Sequence, residues 1–83
     1  MITTNSISEI NILFGKRVRE LREKKNRSQE ELANLTGFHR TYIGQIERAE
    51  KNITLKSIEK IANSFYINIK ELFDFTNINR GEP

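Results

Sequence analysis

Apolar residues near the start of the chain fall at Ile7, Ile10, Phe14, Val18 and Leu21, in steps of three, four, four and three. That is the period of one helix face, with basic and polar residues filling the other faces. It predicts a helix from about Ser8 to Lys25, closed at Asn26, a residue that tolerates the left-handed conformation of a helix end. Ile12 and Leu13 fall off this stripe, so the helix start is either buried on two sides or frayed. A second helix opens at Ser28, where Ser28 and Glu31 form the S-x-x-E capping pattern, and ends near Thr36. Leu32, Ala33 and Leu35 form its apolar side, and Gly37 follows to supply a tight turn of positive φ. A third helix is expected from about His39 to Arg48, with Ile43 and Ile46 as its apolar pair. A fourth starts after Thr54, a good N-cap, and turns Leu55, Ile58, Ile61, Ala62 and Phe65 inward. A short fifth follows Asn68, with Glu71 three residues on as another capping pattern and Ile69, Leu72 and Phe73 as apolar content. The chain is polar from Thr76, and a frayed tail is expected over about 79–83. Phe65 to Ile69 alternates for five residues, but its place between two capping signals makes it a helix junction rather than a strand.

The pattern is therefore all-α, and 83 residues make a single domain, 1–83, without repeats or linkers. A chain of this size buries a small core, and with no cysteine it has no disulfide or thiolate metal site to brace it. Dimer formation is the remaining common support. No apolar run approaches the roughly 20 residues of a membrane span. The opening MITTNSISEI lacks the basic start and apolar centre of a signal peptide. The expectation is a soluble cytoplasmic protein with no membrane partner.

The net charge is only +3, but its distribution is uneven. Residues 1–27 hold seven Lys/Arg against three Glu, while residues 57–83 hold three basic against four acidic side chains. That asymmetry suits one end facing a polyanion and another facing a partner. The plainer reading is that Lys16, Arg17, Lys24 and Lys25 form a solvated helix face.

The informative stretch is 28–48: a capped helix, a short Gly-containing turn and a second helix, which is the helix-turn-helix layout. Ala33 allows close approach of the two helices, and Ile43 and Ile46 pin the second onto the first. Its outer face is then free to enter a major groove, about 12 Å wide. Arg40 can bond guanine bidentately, Gln45 can do the same for adenine, and Thr41 offers a hydroxyl and a methyl. Gln29, beside the cap Ser28, stands at a helix N-terminus that favours an anion. Arg48, Lys51 and Asn52 follow the recognition helix and are candidates for phosphate contacts, as are Ser28 and His39; Tyr42 suits either base or backbone. Taken singly these residues say little. A polar helix face is most often solvated surface, and a lone histidine such as His39 is most often a surface or near-cap residue. Gly44, inside a helix, costs about 1 kcal/mol relative to Ala, which points to close approach of another backbone or of DNA.

The segments Ser-Gln-Glu-Glu-Leu-Ala (28–33) and Tyr-Ile-x-Gln-Ile-Glu-Arg (42–48) make the chain resemble the phage-repressor and Cro-like helix-turn-helix family. The likeness runs from Gly15 to Phe65. Within that family, His-Arg-Thr-Tyr-Ile, Glu-Lys-Asn-Ile-Thr-Leu and the small size make it most similar to restriction–modification controller proteins. The resemblance implies a five-helix, lambda-repressor-like domain that dimerises mainly through its last helix, about 66–78, on a pseudo-palindromic operator. It implies base contacts at Arg40, Thr41 and Gln45 and backbone contacts near Gln29, Tyr42, Arg48 and Asn52. It further implies an ion pair between Arg22 and Glu47 that serves as scaffold. Ile69, Leu72, Phe73 and Phe75 are expected to bury against a twin subunit. Four positions depart from the family. Asn26, Ala49 and Tyr66 stand where glycine is common, and a left-handed Ala49 or Tyr66 would cost roughly 1–2 kcal/mol, so those two helix ends are expected to exit differently. Arg27 stands where an apolar staple is usual; its stem is expected over Leu32 and its charge on a phosphate.

The expected function is a sequence-specific, dimeric DNA-binding transcriptional regulator, a controller protein acting on its own promoter. The alternatives are a phage-type repressor and an antitoxin-type interaction module, for which Leu72, Phe73, Phe75 and Ile78 would serve a different protein. An enzyme is disfavoured: there is no Ser/His/Asp set, no phosphate-cradling glycine loop and no metal-ligand spacing, and no cofactor or small-molecule effector is evident.

Overall fold

The computed structural model describes residues 8–78 as five α-helices: α1 (Glu9–Lys24), α2 (Gln29–Thr36), α3 (Arg40–Glu47), α4 (Leu55–Ser64) and α5 (Ile69–Leu72). No strand occurs among the described residues, so the junction at 65–69 is a helix boundary. Ile7 and the tail 79–83 lie outside them. Among the described residues, no helix is long and apolar enough to cross a membrane.

Every helix starts on a side-chain cap, which satisfies amides that have no intrahelical partner. Ser8 Oγ, Ser28 Oγ, His39 Nδ1, Thr54 Oγ1 and Asn68 Oδ1 each accept a backbone N–H of the first turn. Both expected capping boxes form: Glu31 accepts from the Ser28 amide at 2.7 Å and Glu71 from the Asn68 amide at 3.4 Å.

Phe14 and Val18 of α1, Leu32 and Ala33 of α2, Ile43 and Ile46 of α3, Ile61, Ala62 and Phe65 at α4, and Leu72 of α5 form one buried cluster. Leu21 and Ile58 pack against it partly buried, while Ile10, Leu35 and Leu55, also expected inward, neither join it nor pack against it. Ile10 is half exposed while Leu13 is buried, so the α1 stripe is displaced toward Leu13 at its N-terminal end. Leu35 and Leu55 are 54% and 84% exposed. Leu35 follows Leu32 by three residues, and α2 turns Thr36 inward instead. The Thr36 hydroxyl is satisfied there by donating to the Leu32 and Ala33 carbonyls. Leu55 is the first residue of α4, beyond the reach of the core cluster.

The ends of α1, α3 and α4 overturn the expectation that Ala49 and Tyr66 avoid the left-handed region. Asn26, Ala49 and Tyr66 adopt φ of 55°, 61° and 57°. In each case the next residue bonds back five positions: Arg27 to the Arg22 carbonyl, Glu50 to Gln45 and Ile67 to Ala62, at 3.1, 2.8 and 3.1 Å. These are Schellman caps, and the carbonyls they satisfy outweigh the steric cost of a side chain at the left-handed position. At α2 the same role falls to Gly37, φ 80°.

Basic side chains brace the helices as well as solvate them. Arg17, expected in a solvated face, is largely buried, bonding Glu20 at 2.7 Å and the Glu71 carbonyl at the end of α5 at 2.7 Å. The charge of Arg27, expected on a phosphate, is engaged within the chain. Its guanidinium donates to the Ser64 carbonyl at 3.2 Å and lies 5.8 Å over the Phe65 ring, so its charge sits at the C-terminal end of α4, where a cation is favoured.

Candidate nucleic-acid interface

α2 and α3 are joined by 37–39, and the turn is fixed from both sides. Gly37 takes the left-handed conformation, and Thr36 Oγ1 accepts from the Phe38 amide at 3.3 Å. α3 then lies on α1 and α2 with Ile43 and Ile46 fully inside. At about 100° per residue this leaves Arg40, Gly44, Arg48, Thr41 and Gln45 on an outward arc of about 140°. Arg40 and Thr41 are exposed and Gln45 is half exposed. Among the described residues, no hydrogen bond or ion pair engages the side chains of Arg40 or Gln45. The three residues expected to read bases therefore share one accessible face.

The C-terminal end of α3 is held by an ion-pair hub. Arg22 Nε and Nη2 donate to the two carboxylate oxygens of Glu47 at 2.7 and 3.0 Å, and Arg22 Nη1 donates to the Arg27 carbonyl at 2.8 Å. The hydrogen bonds from Arg22 to Glu47 hold its guanidinium firmly in the charged form, its pKa raised above the ordinary value. Gln29 Nε2 donates to the same Glu47 carboxylate at 3.1 Å. Glu47 thus ties α1, α2 and α3 together. Gln29, expected to face a phosphate, has its side-chain amide turned into this hub.

Close approach of another backbone occurs at Gly15 rather than at Gly44. A Cβ on Gly15 would stand 2.5 Å from the Ile46 carbonyl oxygen and 2.7 Å from that of Glu47. At Gly44 the space is filled by side chains, Arg48 Nη1 at 2.9 Å and Gln29 Oε1 at 3.5 Å, with no foreign backbone near. Gly15 and Gly44 are both mid-helix glycines, a signal that sequence alone does not separate.

Of the expected phosphate-facing residues, Ser28 and His39 both serve as N-caps, at the starts of α2 and α3. Tyr42 is half-buried, its ring edge-on to Phe38 at 5.0 Å and its hydroxyl 3.5 Å from Ser57 Oγ, so it links α3 to α4. Lys60 Nζ covers the same Phe38 ring at 5.5 Å. Lys51 and Asn52 are exposed on the segment after α3, which α1 holds through Asn11 Nδ2 on the Lys51 carbonyl at 3.5 Å. Arg48 is exposed and paired with Glu50, a partner that sequence reasoning missed because two-residue spacing on a helix separates side chains.

Around α5, Ile69 is 45% exposed and Phe73 and Phe75 are half-buried in a file of rings, Phe14–Phe73 at 5.2 Å and Phe73–Phe75 at 5.9 Å. Leu72 corrects the expected interface set. It has no exposed surface in the single chain, because it fills the core beneath α5, and so has nothing left to bury against a twin. No group of acidic, His or Cys side chains among the described residues could hold a metal ion.

The helix-turn-helix family matches residues 18–72. The chain is 46% identical over 76 residues to control protein C.BamHI of Bacillus amyloliquefaciens, covering 90% of this chain and 94% of that protein. It is 39% identical over 64 residues to control protein C.SmaI of Serratia marcescens, covering 77% and 76%. Among solved structures it resembles the restriction-modification controller protein C.AhdI of Aeromonas hydrophila, with a TM-score of 0.73 and 45% identity over 75% of this chain and 94% of that one.

Proposed function

The chain belongs to the helix-turn-helix family, and from that premise we propose that it is a sequence-specific transcriptional regulator that binds a pseudo-palindromic operator as a homodimer. In this reading it is a controller protein of a restriction–modification system and regulates its own promoter in the cytoplasm. The likeness to C.BamHI, C.SmaI and C.AhdI, over nearly the whole length of the first and third, supports the narrower assignment.

One observation carries the DNA-reading role: Arg40, Thr41 and Gln45 are presented together on one accessible face while Ile43 and Ile46 anchor the opposite one. Arg40 reads guanine through its fork, Gln45 reads adenine, and Thr41 contacts a thymine methyl or a base edge. Arg48 at the end of this helix and Lys51 and Asn52 just beyond it hold phosphates, with Ser28, the backbone amide of Gln29 and His39 supporting the same strand from the helix starts and Tyr42 from the α4 side. Two copies join through Ile69, Phe73 and Phe75, which sets two recognition helices about 34 Å apart, one turn of DNA.

Selection of bound sequences from a random duplex pool tests this reading. A two-fold symmetric consensus with half-sites one helical turn apart is expected. Recovery of unrelated sequences at moderate salt would refute it.

A further inference from the structure

Arg48 and Glu50 are two residues apart, a spacing at which helical side chains point to different faces. They meet because α3 ends between them. Ala49 takes the left-handed conformation, φ 61°, and the Glu50 amide closes on the Gln45 carbonyl at 2.8 Å. That turn brings Glu50 back beside the last turn of α3. Its two carboxylate oxygens accept from Arg48 Nε at 2.8 Å and from Arg48 Nη2 at 3.2 Å. The remaining nitrogen, Nη1, lies over Gly44, 2.9 Å from where a Cβ would stand. Gly44 falls on the same arc of α3 as Arg40 and Thr41 but is itself buried, and its missing side chain leaves the room that the guanidinium occupies. Hydrogen bonding from Arg48 holds the Glu50 carboxyl below the usual carboxylate range. Both side chains are about half exposed, so a ligand can reach the pair from solvent.

A carboxylate and a phosphate diester take the same two-pronged seat on a guanidinium. We propose that Glu50 is a built-in competitor for DNA phosphate, which holds Arg48 out of sequence-independent contact with the duplex. The inference rests on the DNA-reading role of α3 given above. A phosphate must displace Glu50 before it can use Arg48, and the displaced carboxylate stays close enough to repel it. Glu50 therefore lowers affinity for arbitrary duplexes, where phosphate contacts supply essentially all of the binding.

The test is binding of a random-sequence duplex by the whole chain over a range of salt concentrations. Glu50→Ala is expected to raise affinity about threefold at moderate salt and to steepen the slope of log K against log salt by about 0.9, the signature of one added phosphate contact. The same substitution in an Arg48→Ala background is expected to give no more than Glu59→Ala gives in the unaltered chain, Glu59 being an exposed carboxylate on α4. An unchanged slope in Glu50→Ala overturns the inference. So does a gain that survives undiminished in the Arg48→Ala background, since Glu50 would then act only as a general charge. Failure of the unaltered chain to bind duplex even at low salt would instead overturn the DNA-reading role itself.

Discussion

The Arg22 guanidinium and the Glu47 carboxylate face each other through two parallel hydrogen bonds of 2.7 and 3.0 Å, and their side chains are only 11% and 4% exposed. A buried pair of this kind is worth little compared with an apolar pair of the same size, but removing one partner strands the other charge. Glu47→Ala is expected to cost about 3–5 kcal/mol in urea unfolding. The double replacement Arg22→Met with Glu47→Met should cost less than either single change. A loss in the double variant equal to the sum of the single losses would show that the two charges act independently.

The two glycines near α3 should respond with opposite signs. Gly15→Ala sets a methyl against the Ile46 and Glu47 carbonyls, which belong to a packed helix and cannot step aside, so a loss of about 1–3 kcal/mol is expected. Gly44→Ala crowds the movable end of Arg48 and meets Gln29 Oε1 at ordinary contact distance, so the better helix propensity of alanine should prevail, with a gain of up to about 1 kcal/mol. Thermal unfolding of the two variants side by side checks the ordering.

Tyr66 holds φ 57° and is 89% exposed, so its side chain contributes strain and little packing. Tyr66→Gly should relieve roughly 1–2 kcal/mol of steric cost. The extra freedom of glycine in the unfolded chain offsets about 0.4–1 kcal/mol of that. A net gain is expected in urea unfolding, and it should exceed that of Ala49→Gly, which also gives up a buried methyl.

The turn after α5 carries a pH-dependent contact. The Asp74 carboxylate accepts from the Thr76 hydroxyl and from the Thr76 amide, at 3.0 Å for the latter, and these bonds lower its pKa. A carboxyl with a depressed folded-state pKa contributes stability above its unfolded value and loses it as pH falls through the folded value. The turn should therefore persist through the ordinary carboxylate range and open only at lower pH. Following the Asp74 carboxyl carbon by NMR should show this, and in Thr76→Ala the titration should move up toward the ordinary value.

The sequence made the helix starts legible, because a cap is a local interaction between residues three apart: Ser28 with Glu31, and Asn68 with Glu71. The outward set Arg40, Thr41 and Gln45 followed from the burial of Ile43 and Ile46, which period alone could assign. The pair Arg22–Glu47 came with the family resemblance. What the sequence hid was set by long-range geometry. Period does not fix where a stripe begins or ends, so it turns Ile10, Leu35 and Leu55 inward and leaves Leu13 off the stripe. Leu72 read as an interface residue because apolar content cannot separate a chain's own core from a twin's surface. Gly15 was passed over since its reason lies 31 positions away, on Ile46. The left-handed Ala49, whose carbonyl partners outweigh its strain, also concealed the meeting of Arg48 with Glu50.

The account's central claim is that the outer face of α3 reads bases while its flanks hold phosphate. Binding of Arg40→Ala and Lys51→Ala to the selected operator and to every single-base variant of it tests that most directly. Arg40→Ala should lose about 1–3 kcal/mol of discrimination at one base position and leave the others intact. Lys51→Ala should weaken all sequences alike and flatten the salt slope by about one contact. Equal loss at every position in Arg40→Ala would contradict the claim.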